Sequence, residues 1–504
     1  MDIADFLDNF KYKLIVPGVY VISWILMFVG PFFFQVQYQL LCIALLIWLC
    51  GRSLLMLTIG AIACYKANSV ISKAERLKTE LPDTYSPRRN EIIHAFIIPS
   101  YKEDEELLED TLERLAVHPQ AKERYLVFMG MEFHEEDSDL KAEKLIKKFE
   151  ERFRLMGYTR HHIRQYEQKG KASNVSWCVE HIEDGYLLPN KIDPEQVQLT
   201  IIDADSWVPA IWTEEIEEHM VEDDHWEKRH KYIYQTNQIF TRNHLDVPIF
   251  SRTYDQLHAG THHSNMLSIA GITFPLSNYS LSYALAKRIG FWDTCADAIG
   301  EDFHTTIKAF WKTGGDIECI PIYASFNQVN VETGKGYLAD VEARFWQAER
   351  HARGVASFAY CVNQIVKSPW DWRSMYISYF CFECAFVPAS VPWVFLAMTY
   401  QSNILFKYTK ASPELISEHY VGYLFNIATF CFYGTYFLYY AVKRRATSAL
   451  YGLENESILR VLEYPLIFMV NMILINIPTF IIATFGVLIE GREYVVAEKA
   501  ISRK

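Results

Sequence analysis

Asp203 and Asp205 stand one residue apart at the end of an apolar run, Gln198-Leu-Thr-Ile-Ile-Asp-Ala-Asp205. A buried strand that ends this way sets two carboxylates at the lip of a sheet. Such hard oxygen donors suit Mn2+ or Mg2+, ions that complete their shell with substrate phosphates. Taken alone, the triplet is also what a strand-end turn looks like. Further candidates follow the same pattern of chemistry at an element's end. Pro99-Ser-Tyr-Lys-Glu-Asp104 follows the first apolar strand. Lys169-Gly-Lys-Ala-Ser-Asn174 opens a helix, where cations and backbone donors can meet an anion. Gly300-Glu-Asp-Phe-His304 opens another, with Glu301 and Asp302 in its first turn, also favoured there by the helix dipole. Gln347 and Arg350 share a face of an amphipathic helix, three residues apart.

The elements that must position these groups alternate in type. Strand candidates are Ala95–Pro99, Tyr125–Met129, Leu199–Ile202, Tyr232–Gln235 and Cys319–Tyr323. Helix candidates between them are Glu105–Ala116, Ser138–Met156, Ala172–Ile182, Trp212–Val221 and Asp302–Lys312. The alternation predicts an α/β domain with a mostly parallel sheet and flanking helices. Ligands of such sheets bind at the carboxyl ends of the strands, where Asp203 and Asp205 fall.

The 504-residue chain is too long for one ordinary domain. Its net charge of -12 argues against a nucleic-acid partner. Apolar segments Leu14–Phe34 and Tyr38–Tyr65 open it, and Met375–Tyr400, Tyr420–Val442 and Pro465–Ile489 close it. Most reach the ~20 residues a membrane helix needs. The predicted organisation is a transmembrane hairpin (1–65), a catalytic domain (66–338), an amphipathic interfacial region (339–372) and a transmembrane region (373–504). Lys66, Lys73, Arg76 and Lys78 after the hairpin, and Lys443-Arg-Arg445 after a later segment, place the domain in the cytosol. Arg492, Lys499, Arg503 and Lys504 pull the tail inward too, and Asn476-Ile-Pro478 offers a break that would make the last segment re-entrant. Arg52 interrupts the second segment, where it serves packing or function. Cys381-x-x-Cys384 reads as packing, and His258, His262 and His263 read as a hydrogen-bonded surface more readily than as a metal cluster.

Taken in order, Pro99-Ser-Tyr-Lys-Glu103, Gly170-Lys-Ala172, Asp203-Ala-Asp205, Glu301-Asp302 and Gln347-x-x-Arg350 resemble the membrane-integrated family 2 glycosyltransferases. That group includes cellulose, chitin and hyaluronan synthases and lipid glycosyltransferases. The resemblance spans about residues 92–355. It implies a GT-A fold inserted between transmembrane helices and a UDP- or GDP-linked sugar as donor. The donor would be held by Pro99, Tyr101, Glu103, Lys171, Asp203, Gln347 and Arg350, with the metal on Asp205 and Asp203. Asp302, beside Glu301, would take the proton from the acceptor hydroxyl, and one displacement would invert the anomeric centre. The acceptor would be a saccharide or a lipid, met at the bilayer; a homo-oligomer would widen a thin set of spans. Lys335, between Gly334 and Gly336, is a further phosphate contact or a plain turn. Three positions depart from the family pattern. Glu132 replaces the Asp that helps hold uracil, Gly300 replaces a Thr before the acid pair, and His351 replaces the Trp that floors an acceptor sugar. Two other classes fit the layout less well: a transporter with a cytosolic domain, and an inactive sugar-nucleotide-binding scaffold.

Overall fold

The computed structural model describes residues 14–78, 87–165, 167–295, 300–368, 370–400 and 418–485. The expected tail cations from Arg492 onward lie outside these residues.

Seven strands form one mixed sheet: β1 (Ile93–Ser100), β2 (Tyr125–Glu132), β3 (Leu155–His161), β4 (Val197–Ile201), β5 (Tyr232–Ile239), β6 (Tyr279–Ser282) and β7 (Glu318–Asn327). Their order is β3-β2-β1-β4-β6-β5-β7. All pairs are parallel except those of β6, which runs antiparallel to β4 and β5. β1, β2, β4 and β5 are buried along almost their whole length, so they read as apolar runs and not as alternation.

β3 and β6 were not among the expected strands. Ser138–Met156 reads as one amphipathic helix, but the helix stops at Phe149, a 3-10 turn covers Glu150–Arg152, and the chain leaves extended into β3. Leu155 and Met156 continue the apolar pattern while changing element, which periodicity cannot separate. β6 is four residues long, Tyr-Ser-Leu-Ser, with no apolar run to mark it.

Register brings the chemistry to one edge. Ile97 pairs with Ile201, so Pro99–Glu103 and Asp203 leave the sheet side by side. Glu132 faces His161 across β2 and β3 at the same edge. Because β6 runs backwards, its first residue Tyr279 pairs with Ile201 and also reaches this edge. Trp207 bridges Asn327, which carries Gln328 to the neighbourhood of Asp203.

The flanking helices are Ile15–Phe33, Gln35–Arg76, Trp372–Tyr400, Glu418–Tyr451 and Leu466–Phe485, the last with an internal π turn at Met472–Asn476. Two described helices are long and apolar enough to cross a membrane, Val36–Arg76 and Leu466–Phe485; Ile15–Gly30 is apolar but shorter. Gln35–Arg76 packs along Glu418–Tyr451, with Gly434 admitting Leu57. Arg52 forms an ion pair with Glu383 and donates to Asn265, which ties the first helices to Trp372–Tyr400 and to the segment that follows the Ile249–His263 helix. The Ile249–His263 helix joins both layers: a Cβ at Gly260 would meet Tyr436 Cδ1 at 2.7 Å.

Candidate active site

The turn after β4 is fixed before any side chain acts. Thr111 Oγ1 donates to Ala204 O at 2.7 Å, and the Arg242 guanidinium donates to Asp205 O. Arg242 also pairs with Asp110 and lies 4.4 Å over the Trp207 ring, with Arg114 over the same ring at 4.0 Å. Asp203 N–H donates to Asn278 Oδ1 at 3.0 Å, and Gln328 Nε2 donates to Asp203 Oδ2 at 3.0 Å. Asp205 is buried, and its Oδ2 accepts from Val329 N–H at 3.2 Å.

Lys171, the first residue of the Lys171–Ile182 helix, points its ammonium into this turn. Its Nζ lies 2.8 Å from Asp203 Oδ1 and 3.5 Å from Glu301 Oε2, and it donates to Ser277 O at 2.7 Å. Burial pulls this lysine's pKa down, but Asp203, Glu301 and Asp302 outweigh burial and hold it above the ordinary range. Lys171 is thus a fixed countercharge for three acids.

The Glu301–Lys312 helix delivers the acid pair from the other side. Glu301 is buried, and Tyr279 OH donates to its Oε1 at 2.6 Å. Trp292 Nε1 in turn donates to Tyr279 OH at 2.6 Å. Burial pushes the Glu301 carboxyl up to about 7, with Lys171 opposing the rise. Asp302 is half-buried; its Oδ1 accepts from Phe303 N–H at 2.8 Å, and burial raises its pKa against the pull of Lys171. A carboxylate poised upward from its ordinary value is a better base for a hydroxyl near neutral pH.

The other expected residues fall into two groups. Pro99, Tyr101 and Glu103 lie at the β1 end, but Glu103 accepts from Ser100 Oγ at 3.1 Å and from Tyr101 N–H. It therefore shapes its own loop, which Lys102 helps turn with φ 62°. Glu132 accepts from Asn174 Nδ2 at 2.9 Å and lies 2.9 Å from His161 Nδ1, so it braces β2 against β3 and the Lys171 helix.

Gln347, Arg350 and His351 lie on the Tyr337–Ala352 helix. Within the expected amphipathic region (339–372) the helix is broken by a 3-10 turn at Arg353–Val355 before Ala356–Lys367. Arg344 donates to Gln347 Oε1, pairs with Asp255 and covers the Tyr254 ring at 4.1 Å. His351 Nδ1 lies 3.3 Å from Tyr254 OH, and its ring stacks on His258 at 5.6 Å. Arg350 is half-buried between them in sequence. The turn after this helix approaches the start of the Glu301–Lys312 helix, where a Cβ on Gly300 would lie 3.7 Å from Gly354 Cα. Lys335 stays in the exposed loop, its N–H on Thr333 Oγ1 at 3.2 Å.

The histidines at 258, 262 and 263 diverge: His262 Nε2 lies 3.1 Å from Phe274 O, and His263 packs on Tyr323 and Tyr439. Among the described residues no group of three or more His, Cys, Asp or Glu could hold a metal by itself. Asp203 and Asp205 still offer hard oxygens to a divalent ion that shares its shell with substrate phosphates.

Sequence reasoning missed Tyr279, Trp292, Gln328 and Arg242. Tyr279 sits on the unforeseen β6, and Gln328 reaches the site only because β7 ends beside Trp207.

A family model described as Glycosyl transferase family group 2 matches residues 199–443, just under half of the chain. The match supports a family 2 glycosyltransferase and takes in Asp203, Asp205, Glu301, Asp302, Gln347 and Arg350. No curated protein matches. Among solved structures, the chain is similar to the mannosyltransferase PcManGT from Pyrobaculum calidifontis, in complex with GDP-Man and Mn2+, at 14% identity and TM-score 0.42, covering 80% of this chain and 99% of that one. It is also similar to S. aureus TarS residues 1-349, at 12% identity and TM-score 0.33, covering 78% and 91%. A third is glucosyl-3-phosphoglycerate synthase from Mycobacterium tuberculosis, with Mn2+, UDP and glucosyl-3-phosphoglycerate, at 12% and 0.31, covering 55% and 86%.

Proposed function

We propose that this chain is a membrane-bound, inverting family 2 glycosyltransferase with a GT-A catalytic domain. It moves a sugar from a UDP- or GDP-linked donor to a hydroxyl of a saccharide or lipid-linked acceptor and builds a β-linked glycan. The observation that carries the reading is Lys171 held between Asp203 and Glu301, with Asp302 next in the chain, at the carboxyl edge of a sheet. The family match over these acids and the apolar helices on either side of the domain support it.

The acceptor hydroxyl attacks the anomeric carbon, and its proton passes to the Asp302 carboxylate. The carbon–oxygen bond to the diphosphate breaks, and the electron pair leaves with the nucleotide. Asp205 and Asp203 are the residues that would hold Mn2+ or Mg2+, which when bound supplies Lewis-acid neutralisation of the departing diphosphate. Lys171 keeps Asp203 and Glu301 in place. Arg350 offers a planar fork of donors suited to phosphate. A single displacement with one base turns an α-linked donor into a β-linked product.

The Tyr337–Ala352 helix lies at the membrane surface in this reading. It packs on the Leu466–Phe485 helix, while Leu338 and Trp346 stay exposed. An amphipathic helix with such a face binds at the headgroup boundary. Single transfer to a glycolipid is the second reading, favoured by His351: its ring is stacked against His258 where a polymerising site would present an open platform.

The test is nucleotide release by the purified full chain against a panel of UDP- and GDP-sugars, with and without a chelator. Release from one donor, lost on chelation, supports the reading. No release from any donor with saccharide and lipid acceptors present contradicts it.

A further inference from the structure

A shallow polar pocket opens away from the acid cluster, where the Ile249–His263 helix meets the end of Glu418–Tyr451 and the Ile458–Glu463 turn. Arg252, Lys443 and Arg460 line it, against Glu456 and Glu463. Lys443 Nζ donates to Glu456 Oε1 at 2.7 Å, and Arg252 Nη2 donates to Glu463 Oε1 at 2.6 Å. Arg460 Nη1 donates to His244 O at 2.7 Å and lies 3.4 Å from Glu456 Oε2. Three cations thus face two carboxylates, and the pocket keeps a positive excess. Tyr464 lines the same pocket; it is 6% exposed, and its hydroxyl has no hydrogen-bond partner among the described residues. A buried hydroxyl in that state lacks a ligand or a water.

The turn that supplies Arg460 and Glu463 to the pocket is of opposite character on its other faces: Leu459 and Leu462, three residues apart, are 69% and 73% exposed, and Ile458 is 67% exposed. Four residues beyond Leu462 begins Leu466–Phe485, one of the two helices apolar enough to cross a membrane. A free anion has no use for such apolar faces. An anion carrying apolar chains uses both halves.

We propose that this pocket binds the phosphate of an anionic membrane lipid, with Lys443, Arg460 and the Tyr464 hydroxyl on its oxygens and Ile458, Leu459 and Leu462 along its acyl chains. The proposal rests on the membrane-bound reading above but not on sugar transfer. Arg252 lines the same pocket and shares a helix with Tyr254 and Asp255, which hold His351 and Arg344 on the Gln347–Arg350 helix.

The experiment reconstitutes the full chain in bilayers of equal phosphatidylcholine and phosphatidylglycerol, extracts it gently and counts retained lipids by native mass spectrometry. Wild type is expected to retain phosphatidylglycerol over phosphatidylcholine. Arg460→Gln should lower that preference about fivefold, the scale of one basic residue near an anionic leaflet. Leu459→Ser, on an exposed side chain that does not threaten the fold, should lower retention of long-chain phosphatidylglycerol as well. Arg460→Lys, which keeps the charge, should recover most of the preference. Equal retention of the two lipids, or variants that retain phosphatidylglycerol like wild type, would overturn the proposal. So would displacement of the lipid by an equal concentration of inorganic phosphate, which would mark a free-anion site. Preferential retention without any nucleotide release would remove the enzyme reading and leave this one standing.

Discussion

Lys171 and Asp203 are joined by a 2.8 Å ion pair that crosses from the first residue of a helix to the second residue beyond a strand. The pair welds two elements at the site, and Glu301 draws on the same ammonium. Removing the cation leaves carboxylates together in a largely water-poor place. Lys171→Met should therefore lower stability by about 3 kcal/mol at neutral pH, the cost of leaving a buried charge unpaired. Thermal unfolding of the purified variant would check this. A melting temperature equal to wild type would mean that the acids find another countercharge.

The acid pair also predicts how stability follows pH. The Glu301 carboxyl is raised from 4.5 to about 7 by burial, so the fold holds its proton where the unfolded chain has released it. Stability is fullest below the unfolded value, falls as pH rises through the window between 4.5 and about 7, and levels off above it. Glu301→Gln removes the titration. Its stability should be flat across that window, relative to a wild-type decline of at most ~3 kcal/mol. A wild-type decline that persists unchanged in the variant would assign it to other groups.

Tyr279 acts on Glu301 through a 2.6 Å hydrogen bond and is itself held by Trp292. It is a positioning residue. Tyr279→Phe should cut kcat about tenfold, the scale of a lost bond to a charged partner, with KM little changed. The acid limb of the pH–rate profile should move upward, because the carboxylate loses a donor. An unchanged pH profile with reduced kcat would reduce Tyr279 to packing.

Asp205 is buried, with one carboxylate oxygen on Val329 N–H. Asp205→Asn keeps the shape but loses a charged oxygen ligand. The variant should fold normally and need far more Mn2+ or Mg2+ for turnover. Normal turnover at low metal concentration would contradict the metal role.

Much of the sheet, and the placement of the acids at its edge, is legible in the sequence, because parallel strands buried on both faces are continuous apolar runs. Ala95–Pro99 and Leu199–Ile202 point to β1 and β4, and the carboxylates at their ends follow by position. What is not legible depends on contacts between distant segments. β6 is too short to signal itself, so Tyr279 and its hold on Glu301 could not be foreseen. Glu132 stands where the family pattern has an Asp, and the sequence does not show what it touches; it braces His161 and Asn174. Arg52 leaves packing and function open in the sequence; its partner Glu383 lies 331 residues away. The break at Arg353–Val355 falls on Gly354, a residue that weakens a helix and so was a local signal for it.

In the proposed mechanism Asp302 takes the acceptor's proton and does little to hold the donor. Donor affinity and transfer rate of Asp302→Asn, measured on the same full-length preparation, test this. Donor affinity is expected within about twofold of wild type and transfer reduced by ~10^2-fold or more, the scale of a lost general base. Near-normal transfer, or a loss of donor affinity as large as the loss of rate, would contradict it.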